Sequence, residues 1–108
     1  MWTIEYLPEA EDDLRELDGN QRLPVIKMIR RVARNPLPQS EGGCGKPLGN
    51  KNENDLTGLL KIKLKSSGIR VVYTIVRTDG IMKIVVIGAR ADEEVYKNAG
   101  KRAKKYDL

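Results

Sequence analysis

The sequence predicts an α+β fold in which a strand and a helical hairpin precede a small antiparallel sheet and a C-terminal helix. Apolar residues recur at helical spacing in two stretches before residue 36, as they do on the buried face of a helix. Three apolar runs follow, at about 59–65, 69–77 and 81–88, with turn residues between them, which is typical of antiparallel strands. A length of 108 residues with 40% apolar content suits a single domain spanning 1–108.

The chain opens with a strand and a first helix. Residues 2–6 alternate between apolar and polar side chains, which predicts a short strand. Pro8 then suits the first turn of a helix, where its fixed φ and missing N–H are tolerated. We expect this helix to run to about Leu17 and to bury a face made of Ala10, Leu14 and Leu17.

A second helix follows the break at residues 18–20. Asn20 is a favourable capping residue, and Pro24 falls near the first turn. Asn35-Pro36 should end the helix, because the residue before a proline disfavours helical conformation. The predicted buried stripe is Leu23, Ile26, Ile29 and Ala33, with Met28 at its flank. We interpret the basic residues on the remaining faces as a solvated surface: Arg22, Lys27, Arg30, Arg31 and Arg34.

The next segment, residues 36–57, is rich in Gly, Pro and Asn without a sustained period, which predicts a long polar loop. It is either a mobile functional loop or a tolerated insertion. Hairpin turns are then expected at 66–68 and 78–80, the second with a strong Asp-Gly signal. A C-terminal helix should begin at Asp92, a capping residue followed by acids. Residues 103–108 are expected to form a flexible tail.

Charge is distributed unevenly along the chain. The net charge is +5, yet residues 1–18 hold seven acids against a single arginine, for −6, and the remainder therefore carries +11. A basic body of this kind attracts polyanions. Phenylalanine is absent and the aromatic content is 5%, which disfavours an aromatic stacking platform for RNA bases.

Cysteine use and hydropathy predict a cytoplasmic protein. The single cysteine, Cys44, cannot form an internal disulfide, as suits a reducing compartment. The longest apolar runs, such as 84–87, are too short to cross a bilayer. No cluster of ligand residues predicts a metal site, and we expect no cofactor.

Residues 60–65 are the most informative segment. Apolar and lysine side chains alternate there, so one face can enter the core while Lys61, Lys63 and Lys65 stand together on the other. The register that buries both apolar faces pairs Leu64 with Val71, Ile62 with Tyr73, Leu60 with Ile75, and Lys65 with Arg70. Opposed like charges destabilise a hairpin, and a phosphate-rich partner would offset that cost. The alternative is an ordinary solvated sheet face.

Short motifs then follow one another in a specific order and spacing. They are Lys61-Ile62-Lys63-Leu64-Lys65-Ser66-Ser67-Gly68, Arg70-Val71-Val72-Tyr73, Gly88-Ala89-Arg90, Glu94-Val95-Tyr96 and Lys101-Arg102. In this order they resemble the RelE branch of the RelE/ParE toxins of bacterial and archaeal toxin-antitoxin modules. The resemblance covers nearly the whole domain, and it implies a helical hairpin packed on a small antiparallel sheet.

The resemblance also implies a function. RelE toxins cut messenger RNA in the ribosomal A site and are silenced by a cognate antitoxin. We therefore expect an endoribonuclease whose partners are a cognate antitoxin and the ribosome with its messenger RNA. One alternative is a ParE-like toxin that inhibits DNA gyrase without nuclease activity. Another is an inactive relative that only binds RNA.

The chemistry of RNA cleavage restricts which residues can act. Attack of a 2′-hydroxyl on the adjacent phosphate requires a proton acceptor, stabilisation of the phosphorane and a proton donor to the leaving 5′-oxygen. Histidine usually does such work near neutral pH, but the chain has none. Lysine can replace it where neighbouring cations make an amine easier to deprotonate.

Carried over by position, the resemblance implies catalytic roles for five residues. Lys63 is the leading candidate for the general base, with Lys61 supporting it. Arg70 would stabilise the phosphorane, Arg90 would protonate or electrostatically stabilise the leaving group, and Tyr96 would stack on or orient a nucleotide. An arginine is a poor acid, which favours the electrostatic role for Arg90.

A sixth residue, Lys65, is expected to bind RNA through phosphate. The assignments have simpler alternatives: Lys61 and Lys65 as surface lysines, Arg70 as a cross-strand neighbour, and Tyr96 as a residue packed on the sheet with its hydroxyl in water.

Arg90 presents a specific difficulty. Strict alternation from Ile84 would aim it at the same face as the core. Gly88 can relieve this by introducing a bulge or by ending the strand.

Overall fold

The computed structural model describes residues 1–51, 54–89 and 92–108. Its elements are β1 (Thr3–Tyr6), α1 (Pro8–Glu16), α2 (Gly19–Val32), a short 3-10 helix (Gln39–Glu41), β2 (Lys46–Lys51), β3 (Asn54–Lys63), β4 (Arg70–Val76), β5 (Ile81–Gly88) and α3 (Asp92–Lys105). The predicted α+β fold is confirmed, including the opening strand, the helical hairpin and the C-terminal helix. No described helix is long and apolar enough to span a membrane.

The five strands within the described residues form one sheet in the order β1-β5-β4-β3-β2. β1 lies parallel to β5, and the other neighbours are antiparallel. The sheet is therefore mixed rather than purely antiparallel, because the first strand joins it at the edge beside the last one.

One hydrophobic core joins the sheet to helices on both faces. On one face, Ile62 of β3 shares a groove with Met28 and Val32 of α2. On the other face, α3 packs against β3 and β5 and buries Tyr96. Lys63, at the end of β3, remains exposed beyond this cover.

The second helix begins at a different cap from the one predicted, and its buried face agrees with the predicted stripe only in part. Ile29, Ala33 and the flanking Met28 are buried as predicted, whereas Leu23 is not. Its N-cap is Asp18, not Asn20, and the Asp18 carboxylate accepts the Gln21 N–H at 3.0 Å. Arg22 donates to carbonyls at the C-terminal end of α1. That contact turns Leu23 outward, where it is 54% exposed. The buried face is Val25, Met28, Ile29 and Val32, and its i, i+3, i+4, i+7 spacing is as regular as that of the predicted stripe.

Part of the predicted loop 36–57 is β-structure. β2 pairs antiparallel with β3, and this pair of strands buries Leu48 and Leu56. Pro47 and Gly49 make the segment look like a loop in the sequence. β2 can contain both residues because it is an edge strand. Gly49 has φ of +60° and lies where the β2–β3 pairing is irregular. The connection between α2 and the sheet is correspondingly shorter than predicted.

The C-terminal residues are attached to α1. Lys105 Nζ and the Tyr106 hydroxyl donate to the Glu9 carboxylate at 2.9 and 2.7 Å. Within the segment 103–108, α3 continues to Lys105, and Lys105 and Tyr106 contact the first helix; the flexibility of this segment stays a prediction.

The attachment of this C-terminal segment predicts a pH dependence. Hydrogen bonds from Lys105 and Tyr106 lower the pKa of Glu9 from 4.5 to about 2. Because the pKa of Glu9 is lower in the folded protein than in the unfolded chain, its ionised carboxylate stabilises the fold fully at pH values above 4.5. This contribution is lost as the pH falls towards the folded-state pKa. In an NMR titration of the folded protein, the Tyr106 ring resonances should therefore move in a transition centred near the Glu9 pKa of about 2. The matched variant Glu9→Gln should lack this transition, and a transition that persisted in it would contradict the assignment.

Candidate active site

The basic strand pairs in a register two residues away from the predicted one. Lys63 lies opposite Arg70, whereas the prediction set Lys65 there. Gly68 explains the difference, because it takes φ of +74° at the end of the turn closed by the Leu64–Ile69 backbone hydrogen bond. The predicted turn would have put Ile69, a β-branched residue, at that position. A shift of two keeps each strand residue on its expected face.

Three candidate residues share one face of the sheet. Lys61 and Lys63 lie on the same side of β3, and Arg70 faces Lys63 from β4. Lys63 is exposed and Arg70 is half-buried. Arg70 Nη1 donates to the Gly68 carbonyl at 3.0 Å, which fixes the guanidinium against the turn. Lys65, expected on the same face, lies in the turn itself and is exposed.

Tyr96 meets Lys61 from the side of α3. Lys61 Nζ donates to the Tyr96 hydroxyl at 2.8 Å and lies 5.5 Å from the ring centroid. The tyrosine is 4% exposed, so it packs on the sheet, with its hydroxyl on a lysine rather than in water. Little of the ring remains available to stack on a base in this arrangement, and the contact instead fixes the position of the Lys61 amine.

Arg90 lies outside the described residues. β5 ends at Gly88, which is the cross-strand partner of Arg70. A register shift interrupts the ladder between β4 and β5, so strict alternation does not hold along β5. The assignment of Arg90 stays a prediction.

A groove of about 580 Å³ opens beside the basic strand. Among the described residues no acid lines it, and its lining combines apolar and cationic side chains. The apolar part includes Met28, Val32, Ile62 and Leu64, and the cations are Arg31, Lys46, Lys61, Lys63 and Lys65.

Sequence reasoning missed two of these cations. The sequence predicts Arg31 on a solvated helix surface, but α2 turns it towards the groove. The sequence predicts Lys46 in a loop, but Lys46 lies on β2, opposite Lys61. No sequence signal marks either residue, since both positions depend on pairing between distant segments.

The groove is suited to binding phosphate. Its amines and guanidinium groups attract an anion, and its apolar lining can contact the rest of a nucleotide. Within residues 1–51, 54–89 and 92–108, no three histidine, cysteine, aspartate or glutamate side chains gather as metal ligands would.

The chain is similar to known toxins over most of its length. Residues 4–94 match the family described as the ParE toxin of type II toxin-antitoxin systems. The mRNA interferase toxin RelE of Escherichia coli (strain K12) is 40% identical over 99 residues, covering 92% of this chain and 94% of the relative.

Solved structures share the fold. The isolated E. coli RelE toxin superposes with a TM-score of 0.68 at 24% identity, covering 94% of this chain and 98% of that one. The toxin in the intact E. coli RelBE toxin-antitoxin complex superposes with a TM-score of 0.64 at 22% identity, covering 84% and 99%. Sequence identity is lower in the superpositions than in the sequence alignment. The alignment therefore supports the family relationship, and the superpositions support the shared fold.

Proposed function

This chain belongs to the ParE toxin family of type II toxin-antitoxin systems, within its RelE branch, and from that membership we propose that it is an mRNA interferase toxin. It cleaves messenger RNA in the ribosomal A site, in the cytoplasm, and a cognate antitoxin silences it. The observation that supports this most is the pairing of Lys63 with Arg70 beside the contact between Lys61 and Tyr96. Opposed cations destabilise a free sheet, and RNA phosphate offsets that cost.

The reaction begins with attack of a 2′-hydroxyl on the adjacent phosphate. Lys63, exposed at the end of β3, accepts the 2′-hydroxyl proton as the general base. Lys61 supports it with positive charge, and Tyr96 holds Lys61 through the hydroxyl contact. The new O2′–P bond gives a phosphorane, whose extra negative charge Arg70 stabilises.

The reaction ends when the P–O5′ bond breaks. The 5′-oxygen takes a proton from water and leaves as a 5′-hydroxyl, Lys63 returns the 2′-hydroxyl proton to solvent, and the other product carries a 2′,3′-cyclic phosphate. Arg90 is assigned to stabilise the leaving oxygen, and Lys65 in the turn binds a neighbouring phosphate.

A cognate antitoxin is the second partner. The groove beside β3 is lined by five cations, which favours an acidic protein segment as its occupant when RNA is absent. We expect the neighbouring gene to encode a small acidic protein that abolishes cleavage on co-expression.

The test of the proposed function is cleavage of messenger RNA on programmed ribosomes. Folded, antitoxin-free protein should cut the message within the A-site codon and leave the same RNA intact when ribosomes are omitted. An intact message in both reactions would refute the proposal. A steeply salt-dependent RNA affinity without product would identify an inactive RNA-binding relative.

A second candidate is a ParE-like gyrase inhibitor, which the description of the matching family favours. DNA gyrase supercoiling in the presence of the protein separates the two functions. Inhibition of supercoiling by a protein that leaves ribosomal message intact would establish this candidate.

A further inference from the structure

An ion pair between α1 and α3 lies at the open edge of β5. Asp13 Oδ2 is 2.6 Å from Arg102 Nη1, and Asp13 Oδ1 accepts from Arg102 Nη2 at 3.2 Å. The two side chains are 17% and 16% exposed. Neither residue takes part in the proposed reaction.

The same two side chains bond the backbone of β5 where β1 has ended. β1 pairs with β5 only as far as Ile84. Beyond that point, Arg102 Nη1 donates to the Val85 carbonyl at 2.9 Å, and Asp13 Oδ2 accepts the Ile87 N–H at 3.0 Å. The ion pair thus takes the place of a neighbouring strand along the last part of β5.

This part of β5 lies directly beside the candidate site. Ile87 pairs with Val71 of β4, and the next residue, Gly88, pairs with Arg70. Arg70 in turn pairs with Lys63. Asp13 therefore holds the backbone one residue before the row that contains both cations.

Arg102 connects the pair to the other half of the site. It lies on α3, the helix whose Tyr96 hydroxyl accepts from Lys61. A guanidinium bonded at once to Asp13 and to the Val85 carbonyl fixes α3 relative to β5.

We propose that Asp13 and Arg102 are positioning residues for RNA cleavage, a role that rests on the proposed function. They fix the end of β5 and the position of α3 on the sheet. Arg70, Lys63 and Lys61 thereby keep the spacing that the reaction requires. Displacement of a reacting group by about 1 Å can cost roughly 100-fold in rate. The competing explanation is a staple that only joins two helices.

The chain offers a matched control for that explanation. Glu9 also joins α1 to α3, through Lys105 and Tyr106, but none of these hydrogen bonds involves β5. The variants are Asp13→Ala, which removes every contact, and Asp13→Asn, which keeps an oxygen for the Ile87 N–H but loses the charge that pairs with Arg102. Glu9→Gln is the control.

The first measurement is the cleavage rate at saturating and at subsaturating ribosome concentration. Asp13→Ala should lower the saturated rate by about 10- to 100-fold with less than a twofold change in the half-saturating concentration. Asp13→Asn should fall between Asp13→Ala and wild type, and Glu9→Gln should cleave like wild type. The ion pair only joins the two helices if Glu9→Gln is slowed as much as Asp13→Ala. The same conclusion holds if the cleavage rate of each variant falls in proportion to its folded fraction.

The second measurement does not depend on RNA chemistry. In Asp13→Ala, hydrogen exchange of the Ile87 amide should accelerate and the amide resonances of Gly88 and Arg70 should shift, whereas Glu9→Gln should leave them in place. Unchanged amides in Asp13→Ala would overturn the proposal. If the wild-type protein fails to cleave, the proposed function fails. The amide shifts alone then decide whether Asp13 and Arg102 hold the end of β5 beside Arg70.

Discussion

Replacing Arg70 with alanine is expected to lower the rate of messenger RNA cleavage by about 10²- to 10³-fold, the usual cost of removing one preorganised group that stabilises transition-state charge. Arg70 faces Lys63 across the β3–β4 pair, and its guanidinium is fixed by the Gly68 carbonyl. Single-turnover cleavage on programmed ribosomes measures the effect. Arg70→Lys should recover only part of the rate, because an ammonium lacks the planar fork of the guanidinium.

Arg77 provides the control for this prediction. It follows the other end of β4 and pairs with Glu41 at the surface, with 54% and 43% of the two side chains exposed. The pair is exposed and lies at the opposite end of β4 from Arg70, so Arg77→Ala should cleave like wild type. Equal rates for Arg70→Ala and Arg77→Ala would remove Arg70 from the mechanism.

Replacing Gly45 with alanine is expected to destabilise the fold by roughly 3 kcal/mol, from overpacking and a broken buried hydrogen bond together. A Cβ on Gly45 would lie 2.3 Å from the Tyr73 hydroxyl and 3.2 Å from Leu60. The Tyr73 side chain is fully buried, and its hydroxyl donates to the Pro36 carbonyl at 2.8 Å. Burial also raises the pKa of Tyr73, so the hydroxyl remains a donor at neutral pH. The ring cannot move without losing this bond.

The control for Gly45 is Gly19→Ala. Gly19 begins α2 and has nothing within 4 Å of its added Cβ. Alanine there should leave the protein as stable as wild type or stabilise it by about 0.4–1 kcal/mol, because it restricts the unfolded chain. Urea unfolding of both variants gives the comparison. A Gly45→Ala midpoint as high as that of Gly19→Ala would show that the connection after α2 is not packed against Tyr73.

The elements that sequence reasoning predicted correctly have local causes. Pro8 begins α1 because its backbone suits the first turn of a helix. The Asp-Gly turn joins β4 to β5, with Gly80 at φ of +65°. The alternation of residues 60–65 indicates which strand residues enter the core, and a register shift of two residues leaves these faces unchanged.

The elements that were wrong depend on features outside any single helix or strand: a turn conformation, a contact between two helices and the pairing of two strands. The register of Lys63 with Arg70 follows from the conformation of Gly68. The buried stripe of α2 depends on how Arg22 meets the end of α1. β2 was not predicted because its composition is typical of a loop. It is a strand because it pairs with β3.

The candidate site shows the same division. The motifs identified Lys61, Lys63, Arg70 and Tyr96, and the fold brings the first three to one face, with Tyr96 bonded to Lys61. The sequence offered packing of Tyr96 on the sheet as an alternative, and the structure bears it out, but the contact of its hydroxyl with Lys61 depends on how α3 lies across the sheet. The bonds from Asp13 and Arg102 to the backbone of β5 join three separate parts of the chain, and no sequence pattern predicts them.

The most direct test is cleavage of a message that carries a single 2′-deoxynucleotide in place of the attacking ribose in the A-site codon. Because the proposed reaction forms a bond from the 2′-oxygen to phosphorus, the protein should leave this message intact. It should cut the all-ribose message into fragments ending in a 2′,3′-cyclic phosphate and a 5′-hydroxyl. Cleavage of the deoxy message at the same position would contradict 2′-hydroxyl attack and the roles assigned to Lys63 and Arg70.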